Sequence, residues 1–439
     1  MRNRFYGLDT VKGIAILGMI LSHSFMGTAA NWNSKVLFSL VEKLPPALTA
    51  ILMGPICLFS HMGSLFSFIS AICVTVSFMG IYRKGWHVVW RYIAMKMVFA
   101  VLLCLIKVFW EQWTVDYDIF EQRKLQWPVA SLPFYGHTLD CIGFIGWTIP
   151  LVLYLMNLVS FFADYRIQIG ILYILCLIIT AVSRSISEAA GVAEKWCHEN
   201  SLFFTEYLMS KASSGPFQTS QIWPFGLLGA CVGILLHSRV GLHKIVTFGF
   251  IVLIINGVIG TIMLMQVDDF LTELFESFKP EGYMTIAMIV ELWLVIWFTY
   301  LVDNPRRSLK KRLGTLKRTT FLRRMNTLSL TAYILEPFLS KKVFALFQIP
   351  FGKAIDTTAK VCLWDWPIVA LYALTDTLIA VGIARLWENC GFRFSIEYQL
   401  GAIMHWIMGR SYSKLDYKEN IYGPIEEIEK ELNEHRSAV

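Results

Sequence analysis

Between Ile245 and Val267 the chain carries no Asp, Glu, Lys or Arg. Wound as an α-helix at ~1.5 Å per residue, such a run is long enough to cross a hydrocarbon core of about 30 Å. Comparable apolar runs lie near 11–30, 54–82, 92–109, 136–161, 167–184, 221–238, 245–266, 282–302, 327–347 and 366–387. The second is the loosest. No acidic or basic residue occurs from Pro45 to Tyr82, too far for one upright helix, and Pro55 marks where a re-entrant or interfacial piece would part from the span proper.

Of the 439 residues, 56% are hydrophobic and 16% charged, where soluble chains carry about 25% charged residues. So apolar a chain needs lipid as its solvent, and the expected fold is an all-α polytopic membrane protein with about ten transmembrane helices. The stretch from Lys12 to Ala30 is too long for the apolar core of a signal peptide and lacks a cleavage site, so it reads as a retained first helix. A polar tail is expected over 411–439, as a solvated appendage with a short charged helix around Ile425–His435, beside a membrane domain over 1–410.

The net charge of +7 is not spread as a nucleic-acid-binding surface would be. Arg2 and Arg4, the 83–91 loop, Arg239 with Lys244, and the basic run at 303–326 fall on one side in a ten-span count. The other side is acidic or mixed: Asp116, Asp118 and Glu121; Glu188, Glu194, Glu199 and Glu206; Asp268, Asp269, Glu273 and Glu276. By the positive-inside rule both termini are then cytoplasmic. The 303–326 run also has the charge to meet anionic lipid or a cofactor phosphate. The nine cysteines are scattered, without metal-ligand spacing, and mostly sit in apolar runs; a disulfide through Cys197 and Cys362 stays open.

Ionisable side chains within a membrane are where function is sought first. His23 lies about 17 Å beyond Lys12 along the first helix. His61, Asp140 and the neighbouring His137 fall in outer halves, while Glu291, Glu336 and Asp376 fall near the middles of their spans. Lys12, Arg91, Lys96 and the basic run lie toward the cytoplasm. This polarity suits a tunnel taking an anionic donor from inside and an uncharged acceptor from outside. A neutral histidine beside a carboxylate makes a general base. The alternatives are interhelical hydrogen bonding for the histidines and pairing of Glu336 or Asp376 with Lys96, Lys341 or Lys342.

The opening RFYGLDTVKGIAILGMILSHSF resembles the first-helix signature of the transmembrane acyltransferase superfamily, which includes the acyltransferase-3 and heparan-alpha-glucosaminide N-acetyltransferase-like proteins. Arg4, Asp9, Lys12, Gly13 and His23 fill its places, with Lys12 where the family has Arg. His23 matches the acyltransferase-3 histidine, which follows that basic position after ten intervening residues. The heparan-type branch instead has its histidine just before Trp-Asn; here Ala29 and Ala30 precede Trp32-Asn33. Further similar segments follow in order: HMGSLFSFISAICVTVS (61–77), RYIAMKMVFAVLLCLI (91–106), HTLDCIGFIGW (137–147), FGLLGACVGILL (225–236) and RRMNTLSLTAYILEPFL (323–339).

The resemblance implies a membrane-embedded acyltransferase, often dimeric, in the cell membrane. It would use acyl-CoA, acetyl-CoA by family default, as co-substrate and hold no permanently bound cofactor or metal. The acceptor would be an extracytoplasmic carbohydrate or other cell-envelope group. His23 would take the acceptor's proton or briefly carry the acyl group, with Asp140, His61 or Glu336 orienting it or the acceptor. Lys12, Arg91, Lys96, Arg323 and Arg324 would receive the CoA phosphates. Gly226, Gly229 and Gly233 would permit close helix packing or leave room for a pantetheine chain. Trp113, Trp127, Phe134 and Tyr135 in the outer loops 110–135 and 185–220 would anchor at the interface or stack on sugars. Two other classes compete: a transporter or flippase for a glycan or lipid-linked substrate, and a non-catalytic relative.

Overall fold

The computed structural model describes residues 4–29, 33–45, 63–107, 137–215, 217–238, 240–267, 280–407 and 417–437. His61 and the aromatic residues between 110 and 135 lie outside these. In chain order the helices are α1 (Tyr6–Ser22), α2 (Ser34–Val41), α3 (Gly63–Ile81), α4 (Trp86–Ile106), α5 (Thr138–Asn157) and α6 (Tyr165–Glu199). There follow α7 (Phe203–Ser213), α8 (Thr219–His237), α9 (Leu242–Leu264), α10 (Glu281–Val302), α11 (Leu309–Arg318) and α12 (Thr320–Thr327). The last are α13 (Ser329–Phe351), α14 (Trp366–Asn389), α15 (Ile396–Ile407), α16 (Tyr417–Ile421) and α17 (Gly423–Ser437). A two-stranded antiparallel ribbon, β1 (Ile355–Asp356) and β2 (Val361–Cys362), precedes α14.

Among the described residues nine helices are long and apolar enough to cross a membrane: α1, α3 to α6, α8 to α10, and α14. This is the make-up of a multi-pass membrane protein. The expected span at 327–347 is the helix α13, but its middle holds Glu336, Lys341 and Lys342 and is correspondingly less apolar. The burial pattern fits a lipid solvent. On α9, Ile245, Phe248, Val252, Asn256 and Gly260 are buried at helical spacing, while Phe250, Ile254, Val258 and Ile262 are exposed. A water-facing helix would place polar side chains there.

The chain divides into two compact units, residues 63–296 and residues 1–62 with 297–439. In the first, α8 is enclosed along almost its whole length. A Cβ on Gly229 would lie 2.4 Å from the Phe68 carbonyl oxygen, and one on Gly233 2.7 Å from Thr75. The space beside these two glycines is therefore filled by α3, and no pantetheine-wide gap lies there. The stretch expected as an outer loop at 185–220 is largely helical: α6 continues to Glu199, a length of about 52 Å, and α7 follows. Its second half is polar, so hydropathy stops where the apolar face does while the helix continues. Cys197 and Cys362 are each buried free thiols, so no disulfide joins them.

In the second unit α1 packs against α12, α13 and α14. Its amino terminus is capped from outside by Asp303, whose carboxylate accepts from the backbone N–H groups of Tyr6 (3.0 Å) and Gly7 (2.8 Å). Asp303 stands just beyond α10, and burial raises its pKa to about 7, the hydrogen bonds from Gly7 and Tyr6 opposing. Trp364 is buried beside Phe344 and Tyr372, ring centroids 5.2 and 6.2 Å away, and donates to the Gly352 carbonyl.

The basic run at 303–326, expected as a loop, folds into α11 and α12. Arg307 and Arg312 turn back to donate to the Leu301 and Val302 carbonyls that end α10. The tail is no solvated appendage in its described part. Ile428 forms a small core with Val302 and Leu316, flanked by Leu309, Leu313, Ile425 and Leu432, and Ile421 is fully buried. The charged sequence around Ile425, Ile428 and Leu432 conceals their apolar face, as the lysines of α11 conceal its matching surface.

Candidate functional site

His23 stands where α1 ends and the backbone continues as a π-helix, His23–Ala29. Such wide turns are rare and often mark functional positions. Glu336 lies on α13, with Pro337 next to it. Proline cannot donate to the carbonyl four residues back, so the helix ladder is interrupted beside the carboxylate. Asp376 lies on α14 and is fully buried.

These elements bring His23 Nδ1 to 2.9 Å from Glu336 Oε2. The other Glu336 oxygen accepts from Ser340 Oγ at 2.9 Å, and Ser340 Oγ also bonds Asp376 Oδ2. Ser24 Oγ reaches the same Asp376 oxygen at 2.5 Å and the Ile20 carbonyl at 2.8 Å. Ser24, Ser340, Glu336 and Asp376 are all buried, whereas the His23 side chain is 27% exposed. The imidazole is thus the accessible end of a buried polar chain. A carboxylate on Nδ1 favours the tautomer with the proton there, leaving Nε2 as the basic nitrogen.

Glu336 and Asp376 therefore meet His23 and serines, and the expected lysine pairs are not what holds them. Ser340 follows Glu336 by one helical turn, the i to i+4 spacing that puts two side chains on one face, so the sequence held that signal. Ser24 and Asp376 were joined to the site only by folding.

Asp140 belongs to the other unit and has a separate setting. Its carboxylate takes Lys107 Nζ at 2.9 Å, Lys211 Nζ at 3.0 Å and the His137 backbone N–H at 3.2 Å, capping α5. All three side chains are nearly inaccessible. Burial first, and then the Lys107 charge, lowers the His137 pKa to about 3, so this histidine is neutral at ordinary pH. Burial likewise lowers Lys211. Here the expected orienting carboxylate is the anion that makes two buried ammonium groups tolerable. Neither lysine stood out in the sequence, Lys107 closing an apolar run and Lys211 sitting in an apparent loop.

The five expected phosphate-binding cations differ in their local settings. Arg91 is exposed on α4, and Lys96 lies over the rings of Tyr92 and Phe99 at 5.5 and 5.9 Å. Lys12 is half-buried on α1. Arg323 is buried and donates to the carbonyls of Ile421 (3.1 Å) and Leu316 (2.9 Å), and burial lowers its pKa to about 10. Arg324 donates to Glu388 at 2.7 Å and to Tyr422 at 3.2 Å. The expectation that Arg323 and Arg324 meet a cofactor phosphate gives way to a structural role, since their guanidinium groups bind the tail and α14. Among the described residues no group of three or more His, Cys, Asp or Glu side chains could hold a metal ion.

No protein-family model matches the chain, and no curated protein matches it.

Proposed function

We propose that the protein is an acyltransferase of a cell membrane, moving an acyl group, acetyl in the first instance, from cytoplasmic acyl-CoA to a hydroxyl or amine of an extracytoplasmic glycan or similar acceptor. The observation that carries this reading is the 2.9 Å contact between His23 Nδ1 and the buried Glu336 carboxylate, on the helix whose sequence resembles the acyltransferase signature. In the proposed step His23 Nε2 accepts the acceptor's proton as its oxygen or nitrogen attacks the thioester carbonyl. The tetrahedral adduct collapses, the C–S bond breaks, and the imidazolium returns the proton to the leaving thiolate. Glu336 stabilises the imidazolium between these events. Lys12, about 17 Å from His23 along the helix, is the cation of this unit assigned to the CoA phosphates, since Arg323 and Arg324 are turned inward.

The test is label transfer from radiolabelled acetyl-CoA by purified protein, with a set of amino- and hydroxyl-bearing saccharides and with water as acceptors. Transfer by the wild type should fall ~10²–10⁴-fold in His23→Ala, the usual contribution of a general base. Absence of any CoA release from the wild type overturns the reading, and unimpaired transfer by His23→Ala overturns the base assignment. Buried carboxyl groups deep in helices also suit a proton-coupled carrier. Uptake of a glycan into vesicles driven by a pH gradient, without CoA release, would favour that second reading.

A further inference from the structure

The side chains behind His23 form three successive oxygen–oxygen contacts: Ser24 to Asp376, Asp376 to Ser340, and Ser340 to Glu336. Each needs one hydrogen between its oxygens, because two bare oxygen lone pairs at such distances repel. The two serine hydroxyls supply two. The Ile20 carbonyl, 2.8 Å from Ser24 Oγ, makes a fourth oxygen–oxygen contact; as an acceptor it supplies no hydrogen, and it shares that of Ser24 with Asp376. The third hydrogen must therefore reside on a carboxyl group.

Two placements satisfy that count, on Glu336 or on Asp376. Glu336 has both oxygens engaged, one by His23 and one by Ser340, as an ionised carboxylate requires. Asp376 has Oδ2 engaged twice, while its buried Oδ1 has no hydrogen-bond partner among the described residues. A buried carboxylate spreads its charge over both oxygens, so leaving one bare is far more unfavourable than leaving bare the carbonyl oxygen of a neutral acid. Two ionised carboxylates sharing one hydroxyl would also repel.

We propose that this network holds one acid proton at rest on Asp376, and that neutral Asp376 is a positioning residue which keeps Glu336 ionised and aimed at His23. Asp376 Oδ2–H donates to Ser340 Oγ, Ser340 Oγ–H donates to Glu336 Oε1, and His23 Nδ1–H donates to Glu336 Oε2. Ser24 Oγ–H closes the far end on Asp376 Oδ2. The charged and titratable groups of the network are His23, Glu336 and Asp376. The same chain permits a concerted shift, in which the Asp376 proton passes to Ser340 as the Ser340 proton passes to Glu336, without any heavy atom moving far. Nothing in this requires acyl transfer to be the reaction.

The experiment is infrared difference spectroscopy of the full chain in lipid nanodiscs at neutral pH, without acyl-CoA. Wild type minus Asp376→Asn should show the loss of one protonated-carboxyl C=O band, shifted on exchange into D₂O. Wild type minus Glu336→Gln should show the loss of carboxylate bands. The Asn amide retains an N–H donor for Ser340, so this variant is expected to fold. A second variant, Ser340→Ala, should retain the acid band but move it to higher frequency, because its hydrogen-bond acceptor is gone. Loss of carboxylate bands alone in Asp376→Asn, or an acid band unmoved in Ser340→Ala, overturns the proposal. A positioning role also requires that the fraction of His23 protonated on Nδ1, read by ¹⁵N NMR against His23→Ala, be kept in Asp376→Asn and fall in Asp376→Ala; equal fractions in all three overturn that part. These readouts need no substrate, so their failure is distinct from failure of the acyltransferase reading.

Discussion

Gly13 and Leu322 approach so closely that a β-carbon on Gly13 would sit 2.1 Å from the Leu322 carbonyl oxygen. The obstructing atom is backbone, on α12, and cannot rotate away. Gly13→Ala must therefore push apart α1 and α12. The expected loss is ~3 kcal/mol, the upper end of the usual range for overpacking, seen as a lower Tm in detergent. An unchanged Tm would mean the two helices are not in this contact.

The docked tail gives a second prediction. Deleting residues 411–439 removes Ile421 and Ile428, both buried, and takes the Ile421 carbonyl from the Arg323 guanidinium. Burial of an isoleucine contributes ~1.5–3 kcal/mol, so the truncated chain should melt well below the full one. A solvated tail would be removed without effect on Tm.

How much of this was legible beforehand follows from the range of each signal. The helices with apolar sequence throughout, α9 above all, were readable because lipid demands a continuous apolar run. Those that change character midway, such as α6, were cut short. At the site, His23 and Glu336 are rare ionisable groups in apolar surroundings, a local signal. The links from His23 to Glu336 and from Ser24 to Asp376 join residues 313 and 352 positions apart, and no spacing rule connects α1 to α13 or α14. The basic run misled most: Arg323 and Lys317 carry like charge in the sequence, yet Arg323 is buried on the tail backbone and Lys317 makes a half-exposed ion pair with Glu429.

Asp303 predicts a dependence of stability on pH. Burial raises its pKa to about 7 in the fold, against about 3.9 for an unperturbed aspartate. Between these values the folded chain binds the proton and the unfolded chain does not. Stability from this group is thus fully present below pH ~4, falls as the pH rises toward 7, and is flat above it. Asp303→Asn, which keeps an acceptor for the α1 terminus but cannot ionise, should flatten the fall. Thermal melts at pH steps from 4 to 8 compare the two slopes, and equal slopes would exonerate Asp303.

Asp140 and Glu336 were expected to share one kind of role, and the structure sets them apart in a way that mutation can read. Removing the Asp140 carboxylate takes from Lys107 and Lys211 the anion that both contact, in a setting almost closed to water. Breaking a buried pair in this way costs about 3–5 kcal/mol, so Asp140→Ala should lower Tm sharply or prevent folding. Glu336→Gln keeps a side chain of the same shape, but it turns one of the two oxygens that accept from His23 and Ser340 into an NH2 donor and removes the negative charge that would support an imidazolium. Its Tm should stay close to that of the wild type while label transfer from acetyl-CoA falls by ~10²-fold or more. Both quantities are measured on the same purified preparations. A Glu336→Gln protein that is as active as the wild type would mean that His23 does not become charged during turnover, and a stable Asp140→Ala protein would mean that the two lysines are neutral or otherwise held.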